Sequence, residues 1–208
     1  MKKISDIHAI KIIFFITACY VGLWSIRIPT IKDQLLTDYI GVGYIMLTFA
    51  IGSIVAMIFS NSLILKTSTK KILTFTLIAE GCLWLPVPFI SELWVFMIFS
   101  FIFGMSYGAF EIACNVYASN VEVREKKSMM SGFHAFWSLG VLVGSVITSL
   151  ILEWNYSFIF NIVSYVIVLL PVSLYFASCL EIQSTEKIDG SNKKNIFFIW
   201  PILIFLLA

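Results

Sequence analysis

Six long apolar stretches dominate this sequence. They cover residues 9–28, 40–65, 72–91, 93–119, 131–152 and 156–179. A helix of about 20 mostly apolar residues can cross the hydrocarbon layer of a bilayer, and each stretch reaches that length. Only 12% of the residues are charged, whereas a soluble domain carries about 25%. Because the chain has too few charges to cover a water-facing surface, we expect an all-α membrane protein with six transmembrane helices and the lipid bilayer as a partner.

A polar segment separates these stretches from a seventh one. Residues 181–195, EIQSTEKIDGSNKKN, contain Ser, Gly and mixed charge without apolar periodicity, which is typical of a flexible linker. The apolar stretch that follows covers about 13 residues, too few to span a bilayer. We therefore predict a six-helix bundle over 1–180, a linker over 181–195 and the truncated start of a seventh transmembrane helix over 196–208.

The basic residues predict how the chain is threaded through the membrane. With six spans, successive loops lie on alternate sides of the membrane. Twelve of the fourteen Lys and Arg residues would then lie on the same side as the N-terminus and the linker, and Arg27 and Lys32 would lie on the opposite side. The positive-inside rule places that side, and with it the N-terminus and the linker, in the cytoplasm. The net charge of +2 then reflects topology, and no nucleic-acid partner is expected.

Two acidic residues, Glu80 and Glu111, fall in the middle of apolar stretches. An ionised side chain at this depth costs on the order of 3 kcal/mol by insertion scales, so such residues face a protein interior or a wet cavity. Glu111 shares a helical stripe of small and polar residues, which is typical of a cavity wall. The other members of that stripe are Gly104, Tyr107, Gly108, Asn115 and Ser119.

We expect Glu111 to load and release a proton, because desolvation disfavours its anion. The alternative is a permanently protonated acid that makes an interhelical hydrogen bond. Glu80 has no polar companion of its own type nearby, and for this secondary intramembrane acid the structural role is favoured.

Further candidates for contact with a solute lie in the first and fifth stretches. Thr17, Tyr20, Trp24 and Arg27 share one helical face. Arg27 either snorkels to the interface or acts as a cation at the outer mouth of a cavity, where Trp24 stacks on the solute and Tyr20 donates a hydrogen bond. His134 falls at a depth similar to that of Asn115 by helix rise, so either a pairing or a packing role is open to it.

The sequence does not favour an enzyme. GMSYG, residues 104–108, matches G-x-S-x-G, but a nucleophile elbow needs a strand, a turn and a helix, whereas this motif lies within an apolar span. Ser106 has no catalytic partner set, and zinc-ligand spacing and phosphate-binding loops are lacking. We expect no catalytic residue, no metal site and no cofactor other than a proton gradient. Gly140 and Gly144 form a small-xxx-small pair suited to helix packing.

The layout resembles the N-terminal half of a major facilitator superfamily transporter over nearly all of residues 10–208. FGMSYGAFEIACNVYASNVE resembles the fourth helix of the fucose permease-like branch, with its Glu-x-Ala-x-Asn pattern at Glu111, Ala113 and Asn115. SGFHAFWSLGVLVG and WSIRIPTIKDQL resemble a bacterial subgroup near that branch.

The resemblance implies one half of a twelve-helix secondary active transporter in the bacterial cytoplasmic (inner) membrane. Such a protein moves a small polar solute by alternating access, and the family resemblance favours a sugar-like solute. Proton coupling, as in symport, would fall to Glu111, and Asn115 would contact the solute. Because the solute site lies between two six-helix halves, a second half is an expected partner, in cis beyond residue 208 or in trans. The competing hypothesis is a non-transporting membrane remnant or packing partner.

One loop departs from the superfamily pattern. The segment after the second span usually reads Gly-x-x-x-Asp-Arg-x-Gly-Arg-Arg, whereas here it reads NSLILKTSTK, residues 61–70. Lys66 and Lys70 match two basic positions of this cytoplasmic gate loop, but Leu65 replaces its acidic residue. We therefore do not expect the standard charge pairing of the gate.

Overall fold

The computed structural model describes residues 5–182, except for the side chains of Asn61, Ser62 and Leu65. Over that range the chain forms six α-helices and a short 3-10 turn, Val87–Phe89. The helices are α1 Asp6–Gln34, α2 Tyr39–Lys66, α3 Thr69–Trp84, α4 Leu93–Glu125, α5 Met130–Glu153 and α6 Phe158–Cys179. All six spans, α3 together with the 3-10 turn, are long and apolar enough to cross a membrane. The predicted all-α bundle of six transmembrane helices is confirmed, whereas the seventh helix and all but the start of the linker lie outside the described residues.

Short polar caps start three of the helices. Asp38 accepts a hydrogen bond from the backbone N–H of Gly41, Ser68 from that of Lys71, and Ser157 from that of Phe160, over 2.9 to 3.3 Å. Each cap satisfies a backbone donor that the first turn of a helix leaves unpaired. The tight connections bring consecutive helices back in opposite directions.

Two helices extend further than the apolar stretches indicate. The first runs to Gln34 and continues through Pro29, so Arg27 lies inside α1 rather than at its end. The fourth runs to Glu125, beyond the predicted limit of residue 119. Its final turns are polar because they contact the ends of α1 and α5 rather than acyl chains.

Glycines allow the closest helix contacts. A Cβ added at Gly144 would lie 2.2 Å from the carbonyl oxygen of Cys19, and one added at Gly140 would lie 2.2 Å from that of Phe15. The α1 and α5 backbones therefore touch where the small-xxx-small spacing predicts. A Cβ at Gly104 would lie 2.1 Å from the carbonyl oxygen of Phe49, so this member of the Glu111 stripe packs against α2 instead of lining open space.

The outer surface of the bundle is apolar. Large side chains such as Phe59, Phe75, Leu142 and Ile167 are more than half exposed. An exterior with so many exposed apolar side chains would be a liability in water but matches a hydrocarbon environment. The exterior is therefore the surface expected of a protein surrounded by lipid.

One end of the bundle holds a network of charged groups, and we call it the basic end. The carboxylate of Asp6, which is buried, accepts a hydrogen bond from Arg124 Nη1 at 2.8 Å and another from the backbone N–H of Glu181 at 3.1 Å. Lys70 Nζ donates to the carbonyl oxygens of Ser178, at 2.9 Å, and Leu180. These bonds join the starts of α1 and α3 to the ends of α4 and α6.

Candidate functional site

A cavity of about 320 Å³ lies among the first five helices and the 3-10 turn. Its volume is at the low end of the range for small-molecule sites, about 300 to 1,000 Å³. Aromatic rings form most of its wall. These are Tyr20 and Trp24 of α1, Phe49 of α2, Trp84 of α3, Phe96, Phe99, Phe103 and Tyr107 of α4, and Trp137 of α5.

Trp84 is the centre of the aromatic wall. Its ring stacks on that of Tyr20, with centroids 5.9 Å apart and planes 14° apart. Phe103 meets it edge-on at 5.3 Å, and Trp24 packs at 6.3 Å on another side. Contacts at these distances and angles are favourable arrangements for aromatic pairs, so three helices hold the rings in fixed positions.

Polar atoms in the wall lack hydrogen-bond partners within the described part of the chain. They are a carboxylate oxygen of Glu80, the hydroxyl of Tyr20 and the indole nitrogen of Trp84. All three side chains are at most 6% exposed. A buried polar atom left unpaired costs about 1 to 3 kcal/mol. Pairing any of these three atoms with water or a solute would recover part of that cost.

Four of the predicted site residues meet in this cavity. Tyr20, Trp24, Tyr107 and Glu80 all line it, although they come from three helices and were predicted for different reasons. Glu80 interacts electrostatically with Tyr20 of α1 and Tyr107 of α4. Its polar neighbours therefore come from other helices and not from its own.

Glu111 lies outside the cavity, one helical turn from Tyr107 toward the basic end. It is half-buried and interacts electrostatically with His134 of α5. Tyr107 interacts electrostatically with both Glu111 and Glu80, and its hydroxyl forms a hydrogen bond with the side chain of Trp137. One residue of the cavity wall therefore interacts electrostatically with both acids.

Asn115 and His134 are not joined by a hydrogen bond in residues 5–182. Asn115 is half-buried, and His134 is exposed with its ring edge-on to Phe14 at 5.7 Å. The interaction of His134 that the structure shows on α4 is an electrostatic one with Glu111.

Arg27 also lies away from the cavity. It is 4% exposed, and its Nε donates to Oδ1 of Asn161 in α6 at 2.9 Å. Its guanidinium carbon lies 5.2 Å from the centroid of the Phe158 ring. Arg27 thus packs between α1 and α6 and does not snorkel to a surface.

The gate-loop lysines differ in their surroundings. Lys66 is exposed at the end of α2, whereas Lys70 donates to backbone carbonyl oxygens at the end of α6. A lysine in this position satisfies carbonyl groups that the last turn of a helix leaves free. Lys70 therefore joins two helices, and no carboxylate within residues 5–182 forms an ion pair with it.

Sequence reasoning missed most of the aromatic wall. Phe96, Phe99, Phe103 and Tyr107 recur every three or four residues along α4, a spacing that places them on one face. This stripe was visible in the sequence, but periodicity does not distinguish a cavity wall from ordinary packing. The pair of Glu80 and Trp84, four residues apart, was a second available signal.

Two further predictions concern a catalytic serine and a metal site. Ser106 lies inside α4, so GMSYG does not form the sharp turn of a nucleophile elbow. Within residues 5–182, no group of three or more His, Cys, Asp or Glu side chains is arranged to hold a metal ion.

Six membrane-spanning helices, five of which line a cavity of small-molecule size, define a helical membrane protein able to hold a small molecule between its helices. The model of the Major Facilitator Superfamily matches residues 12–206. The chain therefore belongs to this superfamily of membrane transporters. The narrower resemblance to the fucose permease-like branch stays a prediction.

Two curated proteins are similar to the chain. An uncharacterized MFS-type transporter of Yersinia pestis is 27% identical over 201 residues, which cover 95% of this chain and 50% of that protein. An uncharacterized transporter of Sinorhizobium fredii is 28% identical over 136 residues, covering 64% of this chain and 35% of that protein. The chain thus spans half or less of the length of these relatives. No solved structure matches it.

Proposed function

We propose that this chain forms the N-terminal half of a secondary active transporter that moves a small solute by alternating access. The main support is the cavity, because a binding space walled by five transmembrane helices and containing a buried carboxyl group suits solute recognition at membrane depth. Family membership favours transport over an inert remnant. A second six-helix half, in cis or in trans, would complete the pathway.

Proton coupling is the second part of the proposal, and Glu111 is the residue assigned to it. Its carboxyl group is half-buried and interacts electrostatically with His134 of α5 and with Tyr107 of the cavity wall. An acid at this depth alternates between a neutral and a charged form as its surroundings open to water. We propose that this alternation couples the movement of solute to that of a proton, and that the coupling is symport.

Transport is tested with the full-length protein reconstituted in proteoliposomes under an imposed pH gradient. The labelled probes are L-fucose, alanine and phenyltrimethylammonium, which represent a sugar, an amino acid and an organic cation. We expect at least one probe to accumulate, and a protonophore to abolish that accumulation. If none is taken up faster than into protein-free vesicles, the transport proposal is contradicted.

The role of Glu111 is tested by Glu111→Gln on the same probe. We expect gradient-driven accumulation to be lost while exchange of probe across the membrane without a gradient persists. Glu92→Gln is the matched control, because Glu92 is an exposed acid at the start of the same helix. If Glu111→Gln leaves the pH dependence of uptake unchanged, Glu111 is not the coupling residue.

We further propose that the basic end faces the cytoplasm of a bacterial cell, with the N-terminus inside. Lys66, Lys70 and Lys71 lie at this end, whereas Arg27 and Lys32 lie toward the other, as the positive-inside rule requires. Single cysteines are introduced at Ser128 and Asn155, in loops at opposite ends, after the native cysteines are replaced. A membrane-impermeant maleimide should label only the cysteine at position 155 in intact cells, and the reverse pattern would invert the orientation.

A further inference from the structure

We propose that the aromatic cavity binds an organic cation, with the carboxylate of Glu80 as its counter-charge and the surrounding rings as its cage. This inference rests on the proposed transport function and names the chemical class of the solute. It differs from the sugar-like solute that the family resemblance favours.

The charge of the cavity wall is the first argument. Among the residues that the structure describes, Glu80 is the only acidic side chain that lines the cavity, and no Lys, Arg or His side chain lines it. The buried guanidinium of Arg27 is engaged with Asn161 and Phe158 instead. An anionic solute would meet only a carboxyl group here, whereas a cation would regain the charge pairing that it loses on leaving water.

The scarcity of polar atoms in the wall is the second argument. Ser100 lines the cavity, but its hydroxyl already donates to the carbonyl oxygen of Ile45 at 2.9 Å. Among the described residues, the buried wall atoms without a partner are those of Glu80, Tyr20 and Trp84, and the hydroxyl of Tyr107 is engaged with Trp137. A sugar carries a hydroxyl group on nearly every carbon, and each one buried without a partner opposes binding. An organic cation needs only one counter-charge and apolar contact.

The aromatic rings are the third argument. Cations are attracted to the faces of Trp, Tyr and Phe, most strongly to Trp, and the attraction grows when water is excluded. Trp24 and Trp84 lie 6.3 Å apart, on α1 and α3, and both border the cavity. Glu80 lies one helical turn from Trp84, so the carboxyl group and the indole rings border the same cavity.

The test uses equilibrium binding to the purified full-length protein, without a gradient. The probes are phenyltrimethylammonium and tert-butylbenzene, which have nearly the same shape and differ in charge, together with benzoate and L-fucose. Binding is followed by tryptophan fluorescence, since Trp24, Trp84 and Trp137 line the cavity, and by dialysis of labelled probe. We expect phenyltrimethylammonium to bind about tenfold or more tightly than its neutral isostere.

Variants assign the binding to the cavity. Glu80→Gln keeps the size of the side chain and should weaken binding of the cation about tenfold or more while leaving that of tert-butylbenzene nearly unchanged. Trp24→Leu replaces an aromatic face with an aliphatic one and should also weaken binding of the cation without weakening that of tert-butylbenzene. It therefore provides a second test if Glu80→Gln does not fold. Glu92→Gln, an exposed acid outside the cavity, should change nothing.

Two sets of outcomes overturn the proposal. One is equal binding of the cation and its isostere, or tighter binding of benzoate or L-fucose. The other is cation binding that neither Glu80→Gln nor Trp24→Leu affects. Failure of this inference is distinct from failure of the transport proposal. If the cation binds but never accumulates, only the transport proposal is contradicted. If the protein accumulates another solute in response to the proton gradient but binds no cation, only the proposed solute class is contradicted.

Discussion

The Nε of Arg27 donates to Oδ1 of Asn161 over 2.9 Å, and this bond joins two buried side chains of α1 and α6. In residues 5–182 no carboxylate forms an ion pair with Arg27. One guanidinium nitrogen and the amide nitrogen of Asn161 remain buried without partners. The charge of Arg27 is therefore stabilised by an amide oxygen and the ring of Phe158, which is weaker compensation than a carboxylate would give.

Asn161→Asp should stabilise the bundle, because it places a carboxylate at hydrogen-bond distance from a guanidinium that is already buried. We expect the free energy of unfolding to rise by about 1 kcal/mol, and Asn161→Leu to lower it by about 1 to 3 kcal/mol. Thermal unfolding in detergent gives the comparison. Asn155→Asp is the control, since Asn155 is exposed in the α5–α6 loop. A loss of stability in Asn161→Asp would mean that the charge of Arg27 is compensated by other means.

Gly104→Ala should disrupt the contact between α2 and α4. The added Cβ would lie 2.1 Å from the carbonyl oxygen of Phe49, a backbone atom that cannot move away on its own. Overpacking of this kind costs about 1 to 3 kcal/mol. Gly43→Ala, on α2, meets nothing within 4 Å and should instead gain about 0.5 to 1 kcal/mol. Equal melting temperatures for both variants would place α2 and α4 further apart.

The helices could be predicted from the sequence because each depends on local properties. An apolar stretch of sufficient length and a polar cap such as Asp38 or Ser157 define a transmembrane helix without knowledge of its neighbours. The contact at Gly140 and Gly144 follows for the same reason, since two small residues four apart create a groove on one helix. The polar extension of α4 to Glu125 was missed because it depends on contacts with other helices.

The cavity could be predicted only in part because its wall comes from five helices. The stripe of small and polar residues on α4 favoured Glu111 as a site residue, because its polar companions lie along its own helix. Glu80 has its companions across the bundle, where Tyr20 and Tyr107 lie at the same cavity. A sequence shows which residues share a face but not which face of another helix lies opposite. The position of Arg27 against Asn161 was unpredictable for this reason.

Asp6→Ala should destabilise the basic end. The carboxylate of Asp6 accepts from Arg124 and from the backbone N–H of Glu181, so its removal leaves two donors without this acceptor. Because the Asp6 side chain is only 4% exposed, we expect a loss of about 1 to 3 kcal/mol in the free energy of unfolding. Asp33→Ala removes an acid that is 73% exposed and should stay within about 0.5 kcal/mol of wild type. A similar effect of both substitutions would show that burial of Asp6 contributes nothing.

Tyr107→Phe should separate solute binding from proton coupling. The substitution keeps the ring that lines the cavity and removes the hydroxyl, which interacts electrostatically with both Glu80 and Glu111. If that hydroxyl helps a proton pass between the two acids, gradient-driven uptake should fall about tenfold or more, whereas equilibrium binding of phenyltrimethylammonium should change less than about threefold. Tyr44→Phe, on the exposed surface of α2, controls for the loss of a tyrosine hydroxyl. Parallel loss of binding and uptake would assign Tyr107 to the solute alone, and retention of both would leave the two acids acting independently.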